Sequence, residues 1–284
     1  SATFAKAFRD GDTVLSVSYT GQDADNKNGM TSSTSNSNFG KTGAVDFNNR
    51  KNMRSIYETE HRLLATLKSR HYFFGSDKPT TFSLVYTRES GNTKYPTFDT
   101  YTGFQGDYQT KAFGYEFNLN DDSSSLLYIP TVNDPIVCYS YKCTDEGSAD
   151  ALAREEAVLN LLHNVFGLSD YAGQIAPRDA GNFPWQTSLD LNIIQELPGL
   201  RDDDKFIVTF AIENLLNFID DDKGIINYGY YSGRIPVIDL RIVDDSKYDY
   251  SRNAFRYSFD DPFNIDRSTT QSLWRASLGF QYKF

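Results

Sequence analysis

Nowhere in the 284 residues is there a run of about eighteen apolar side chains, the mark of a membrane-crossing helix. Positive charge is short too. Lys and Arg number 28 against 38 Asp and Glu, a net charge of −10. That argues against nucleic acid, which wants a basic face. Histidine is limited to His61, His71 and His163, and none lies near a GxSxG motif or a second His at metal spacing. Glycine-rich phosphate loops are missing. The acidic runs at 202–204 and 220–222 lack the apolar surroundings that would split the pKa values of an acid/base pair. They read as solvated turns, with a calcium site as the lesser reading. No catalytic residue, metal or cofactor is therefore expected.

Cysteine is equally scarce. Cys138 and Cys143, in CYSYKC, are the only two. Zinc needs four ligands, and no second CxxC accompanies them. Two unpaired thiols are one reading. A local disulfide in an oxidising compartment is the sharper one, because the segment reads as an exposed loop.

Aromatic residues are plentiful. Tyr (19) and Phe (21) dominate an aromatic content of 15%, beside a mean hydropathy of −0.52. A transmembrane β-barrel reconciles the two values, since each strand shows lipid only every second residue. The chain ends in LWRASLGFQYKF, where Trp274, Ala276, Leu278, Phe280, Tyr282 and Phe284 alternate with polar residues. Free at a terminus, such a strand would be an exposed edge inviting aggregation. The first residues, SATFAKAFRDGDTVLSVSYT, also alternate and do not read as a signal peptide.

The same period of two recurs along the chain. Residues 2–9 and 13–20 read as a hairpin around DGD. His61, Leu63, Ala65 and Leu67 share a face, as do Phe82, Leu84 and Tyr86. Further on come Leu189, Leu191 and Ile193, then Phe206, Val208, Phe210 and Ile212. VIDLRIV, with Ile238, Leu240 and Ile242 opposite Asp239 and Arg241, and YDYSRNAFRYSF read as two more strands. The total is about nine strands of roughly 8–14 residues, the length a tilted membrane strand needs. Lipid would touch Leu189, Leu191, Phe210, Leu240, Leu278 and Phe280. Asp190, Asn192, Glu213, Asp239, Arg241 and Arg275 would face a wet lumen. A soluble sandwich gives similar alternation, but aromatics near strand ends and the terminal Phe284 favour the membrane.

Connections alternate in length. DGD, FFGSDKP, PGLRDDDK and VDDSK are short; 21–56, 91–183, 218–227 and 260–271 are longer. Outer-membrane barrels have short periplasmic turns and long extracellular loops, which puts the carboxyl terminus at the periplasmic rim. The 91–183 stretch is too long for a plain connection. Within it, LLYIP and IVCYSYKC read as short strands. A helix is expected in SADALAREEAVLNLLHNVFG, with Leu152, Leu159, Leu162 and Phe166 on one stripe, Ser148 or Asp150 as cap and Gly167 as stop. The aromatics Tyr95, Phe98, Tyr101, Phe104 and Tyr108, followed by Phe113, Tyr115 and Phe117, suit a ligand-binding surface. They suit a small core of the loop equally well.

Several blocks resemble the carboxy-terminal part of TonB-dependent outer-membrane receptors, in particular the Oar-like branch. They are SIYETEHRLLATL, FFGSDKPTTFSLVYTRESG, LLYIPTVNDP, GLSDYAGQIAPRDAGNFPWQTSLDLNIIQELPGL, KFIVTFAIENLLNFIDDDKGI and SLWRASLGFQYKF. IENLLN is similar to the NLxN-type strand of receptor barrels, while PWQTSLDLNIIQELPG is more specific to Oar-like members. The resemblance implies a 22-stranded barrel with an amino-terminal plug, driven by TonB in the inner membrane. This chain shows no plug and no TonB-contacting segment, and its nine strands would be the last nine. The whole of 1–284 is thus expected to be the carboxy-terminal portion of a transmembrane barrel, with 91–183 as its long extracellular region. Its expected partners are the remainder of the receptor, TonB through the plug, outer-membrane lipid, and an extracellular ligand or partner protein. Two functions follow. One is transport through a TonB-dependent receptor. The other is a structural or adhesive outer-membrane barrel that binds a partner protein without transport. A passive pore made by this chain alone is disfavoured by the strand count.

Overall fold

The computed structural model describes residues 1–30, 33–35, 38, 42–46, 49–75, 77–91, 95–102, 111–112, 115–116, 125–140, 143, 145–178, 180–201, 204–227, 234–242, 255–258 and 268–284. In chain order the strands begin with β1 (Ala2–Phe8), β2 (Thr13–Gly21), β3 (Asp25–Asn26), β4 (Met53–Arg54), β5 (His61–His71) and β6 (Thr80–Glu89). Next come β7 (Tyr95–Thr102), β8 (Lys111–Ala112), β9 (Tyr115–Glu116), β10 (Tyr128–Ile129), β11 (Val137–Cys138) and β12 (Gln174–Ile175). The last are β13 (Gln186–Pro198), β14 (Lys205–Glu213), β15 (Arg234–Ile242), β16 (Phe255–Ser258) and β17 (Arg275–Lys283). One helix, α1 (Ala149–Leu159), lies between β11 and β12.

Seven strands form one sheet in the order β1-β2-β5-β6-β13-β14-β17, with every neighbouring pair antiparallel. This wall is a meander whose hairpin turns all lie at one end: residues 9–12, 72–79 and 199–204. The other three connections, 22–60, 90–185 and 214–274, leave from the opposite end. The expected alternation holds for DGD, FFGSDKP and PGLRDDDK against 21–56 and 91–183, whereas 218–227, VDDSK and 260–271, expected as separate links, all fall within the single connection 214–274. The sheet does not close on itself. Among the described residues no strand pairs with the outer edge of β1 or of β17. Both edge strands are exposed along their whole length.

The wall has seven strands where the sequence suggested nine. VIDLRIV and the end of YDYSRNAFRYSF form β15 and β16 of a separate four-stranded sheet, β11-β16-β15-β7. There β15 runs parallel to β7, and β11 runs parallel to β16. The reason lies in successive residues. Val237, Ile238 and Leu240 are all buried in one core cluster, so β15 is a core strand, irregular at Val237, rather than part of the wall. Leu240, expected against lipid, is fully buried here. Asp239 and Arg241, expected on the polar face of the wall, belong to this separate sheet. The VDDSK turn expected between these strands lies outside the described residues.

Together the long connections build a cap with its own core. Leu127, Ile129, Val158, Leu162, Ile238, Leu240 and Tyr257 are its centre. They come from 90–185 and 214–274, and a second, smaller cluster adds Ile56 from 22–60 against Leu126. Polar ties join these segments, one buried at Arg178 and one nearer the surface at Arg54. Arg178, 1% exposed, donates from Nη1 to Asn26 Oδ1 at 3.1 Å and from Nη2 to the Asn26 carbonyl at 2.6 Å. Arg54 pairs with Glu58 at 2.7 Å and donates to Asn182 Oδ1 at 2.6 Å. A buried guanidinium needs this many acceptors to offset its desolvation.

Helix α1 starts where Ser148 Oγ accepts the Ala151 N–H at 3.2 Å, and the segment stops at Gly167, whose φ of +70° suits only glycine well. Its buried stripe is Ala151, Val158, Leu161 and Leu162, one step round from the stripe expected. Leu162 and Phe166 are buried as expected, but Leu152 is 50% exposed. The last turn, Asn160–Val165, is π-helical, and this wider turn shifts the phase at its end.

Candidate functional site

The register of the wall sorts its side chains by chemistry. Directly opposed residues in an antiparallel sheet share a face. One row across all seven strands is Lys6, Leu15, Leu67, Leu84, Leu191, Ile212 and Ala276. The next row toward the hairpin turns is Phe8, Thr13, Ser69, Phe82, Ile193, Phe210 and Leu278. Residues expected to touch lipid thus share one face, Leu240 apart. The other face carries Thr, Ser, Asn and ions, with cross-strand pairs Arg62–Glu89 at 3.4 Å, Lys205–Glu196 at 2.9 Å and Arg275–Glu213 at 3.4 Å. Solvated pairs of this kind contribute only about 0–1 kcal/mol each. They mark a wet surface rather than a glue.

Aromatic rings gather at both ends of the apolar face. At the long-connection end, Tyr19, His61 and Trp185 stack in series at 6.1 and 6.0 Å, and Phe218 meets Trp274 edge-on at 4.9 Å. At the hairpin end, Phe73 stacks on His71 at 5.5 Å, and Phe206 on Phe280 at 5.9 Å. The face carries few cations, and two of them lie over rings. Arg88 is 5.4 Å from the Trp185 centroid and Lys6 is 5.0 Å from that of Phe8. From Trp185 to Leu197 the chain rises roughly 40 Å along the strand, or about 28 Å at a 45° tilt. The apolar face thus runs between two groups of aromatic rings.

The NLxN-type segment locks the rim. Asn214 adopts φ +53° and its N–H donates to Asp190 Oδ1 at 2.8 Å. Its Nδ2 donates to the carbonyls of Gly224 at 2.9 Å and Ser272 at 2.6 Å. Asp190 is therefore a structural acceptor as well as a residue of the polar face. The acidic runs also divide. Asp204, 7% exposed, accepts from the Tyr282 hydroxyl, contrary to its reading as a solvated turn residue. Asp202 and Asp203 lie outside the described residues. Asp221 and Asp222 are exposed, and the Lys223 ammonium on Asp220, 3.0 Å away, holds that carboxyl below its usual range. Among the described residues no three His, Cys, Asp or Glu side chains converge as a metal site would require.

Among the described residues the cap holds three buried tyrosines, Tyr128, Tyr139 and Tyr257. Tyr257 donates to the Tyr128 carbonyl at 3.0 Å, and Tyr128 to Asp134 Oδ2 at 3.0 Å. Burial, then the Asp134 charge, pushes Tyr128 up to about 12. Burial also raises Tyr139 and Tyr257 well above the ordinary value. Nearby, Glu146 accepts from Tyr139 N at 2.8 Å, Ser140 N at 2.9 Å and the Ser140 hydroxyl. Burial works against its charge, yet these hydrogen bonds together hold Glu146 below the usual carboxylate range.

Cys138 and Cys143 are in bonding contact with Cα atoms 5.3 Å apart, inside the disulfide range. Cys138 does not sit in an exposed loop; it is buried because β11 lies on β16 within the cap core. Of the candidate ligand-binding aromatics, Tyr95, Phe98 and Tyr101 fall on β7, beside Arg234, Ile238 and Leu240 of β15 in register. Phe104 and Tyr108, with Phe113 and Phe117, lie outside the described residues. Tyr115 falls on β9.

His71 is not placed as a base toward Ser69. Arg9 Nη1 donates to His71 Nδ1 at 3.4 Å, so His71 Nε2 carries the proton and donates to Ser69 Oγ at 3.0 Å. That direction cannot take a proton from Ser69. His163 Nε2 donates to the Pro130 carbonyl at 2.9 Å. His61 Nδ1 bonds the Tyr19 hydroxyl at 2.9 Å. Compared with known proteins, the chain matches no family model, no curated protein and no solved structure.

Proposed function

We propose that this chain is a wall segment, with its outer cap, of a TonB-dependent outer-membrane receptor. The observation that carries the reading is the two-faced open sheet, apolar between two aromatic girdles on one side and polar on the other. Among the described residues no second layer covers the apolar face, and lipid is the cover that fits its height and belts. The polar face then meets a wet lumen, and the cap, on the long-connection side, meets the ligand outside.

Strand direction supports a partner. With seven strands, β1 and β17 run the same way, so closure with antiparallel neighbours all round needs an odd number of further strands. In hydrocarbon an unpaired edge costs several kcal/mol per unsatisfied group. A second copy of this sheet in the same orientation would meet it parallel and does not serve. The remainder of a plugged 22-stranded receptor, about fifteen strands, does. The barrel would then be loaded by TonB through its plug.

The test is fractionation and mass analysis of the tagged chain from a Gram-negative host. Recovery in the outer membrane, with further barrel peptides and a plug attached, is the expected result. Barrel peptides without a plug would instead give the adhesive reading. Recovery as a detergent-free monomer in the periplasm would overturn both.

A further inference from the structure

Helix α1 and its π-helical extension present two apolar stripes, and only one packs inward. The other opens to the surface as a groove of about 460 Å³, lined by Val132, Leu152, Leu159, Glu155, Glu156 and His163. Val132 and Leu152 are 67% and 50% exposed, so the floor is uncovered apolar surface. Asp150 and Arg154 neutralise each other at 3.1 Å, which leaves Glu155 and Glu156 as the charges along the rim. Glu155 spends one oxygen on the Asn133 N–H at 2.6 Å. The Glu156 carboxylate makes no ion pair or hydrogen bond among the described residues. The π turn, a feature frequent at functional sites, forms one end of the groove.

We propose that this groove docks a cationic, amphipathic peptide segment. Apolar side chains of the ligand meet Leu152, Leu159 and Val132, while its Lys or Arg residues meet Glu155 and Glu156. Leu152 to Asn164 spans about 18 Å at helical rise, enough for roughly five extended residues. Such helix-side grooves recognise partners through a few apolar anchors, with charge fixing orientation and speeding capture. The proposal concerns the cap alone and stands whether or not the wall crosses a membrane.

The test is photo-crosslinking on the full chain in detergent, using the hexapeptide Lys-Leu-Lys-Leu-Leu-Lys with a terminal benzophenone. Crosslinks mapped to 132 and 152–164 are expected, and the Glu-Leu counterpart should not label there. E156Q and L152N alter exposed side chains. Each should cut labelling at these positions about five-fold at low salt, with the helical circular dichroism unchanged. Labelling confined to the wall, equal labelling by the acidic peptide, no labelling at all, or variants that label like the native chain would each overturn the proposal.

Discussion

Gly91 and Phe183 touch across the neck of the longest connection: a Cβ on Gly91 would lie 2.2 Å from the Phe183 carbonyl oxygen. The two residues bound the stretch where strand periodicity disappears from the sequence, and in the structure they bring its ends side by side. Replacing Gly91 by Ala forces a backbone to move. G91A should cost about 1–3 kcal/mol, as overpacking does. A thermal melt of the cap would read it, and an unshifted melting temperature would show that the neck gives freely.

Leu278 and Ser277 are neighbours on β17 and stand at the same height on opposite faces. If the apolar face meets lipid, L278R should cost about 2–4 kcal/mol in the assembled, membrane-inserted protein, and S277R much less. Vesicle refolding titrations compare them directly. Equal losses would point to a sheet with water on both sides.

The tyrosine trio makes the cap sensitive to alkali. A group whose folded pKa is raised contributes stability that is present below its unfolded pKa, near 10 for tyrosine, and lost as pH rises toward the folded value. For Tyr128 that window runs from the ordinary value to about 12. Cap stability should therefore fall between those values, and Y128F should flatten the slope. A native slope unchanged by Y128F would refute the assignment.

Glu146 works in the opposite direction. Its folded pKa is lowered, so its contribution is present above the ordinary Glu value and lost as pH falls below it. Denaturant melts of the native chain and E146Q should converge in acid and separate near neutrality. Parallel curves would mean that the hydrogen bonds around Ser140 do not depend on the charge.

Beside Glu146, Cys138 and Cys143 are expected to form a disulfide. Intact mass after alkylation without reductant should show no added label. Removing the bridge by C143S should cost about 2 kcal/mol, the loop-entropy value for so short a ring. Two alkylated thiols in the native chain would exclude the bridge.

Much of the wall was legible because a half-buried strand writes its fold in every second residue. Leu15, Leu67, Leu84, Leu191 and Ile212 fall into one row of the sheet as their periodicity implied. β15 departs from the wall because a buried core strand can also show an apolar residue at every second position; Val237 beside Ile238 is the local break in that pattern. The helix was legible but its phase was not, since Leu152 and Ala151 compete for the inside and volume alone favours the wrong one. Tertiary ties carry no local signature. Arg178, Arg54 and Asn214 act on partners far away in sequence, and Asp204 becomes buried only because Tyr282 arrives from the last strand.

The split between tight hairpins and long connections also bears on how the chain folds. β1–β2, β5–β6 and β13–β14 are local pairs that can zip within microseconds. The seams between them join Gly21 to His61 and Glu89 to Gln186, and a third joins Glu213 to Arg275 of the lone strand β17, contacts of high contact order that make β proteins slow. A cap that consolidates early changes that arithmetic. By holding residue 22 against 60, 91 against 183 and 214 against 272, it presents the ends of each long excursion already adjacent, so that three hairpins and β17 can dock edge to edge as though the intervening chain were a short turn.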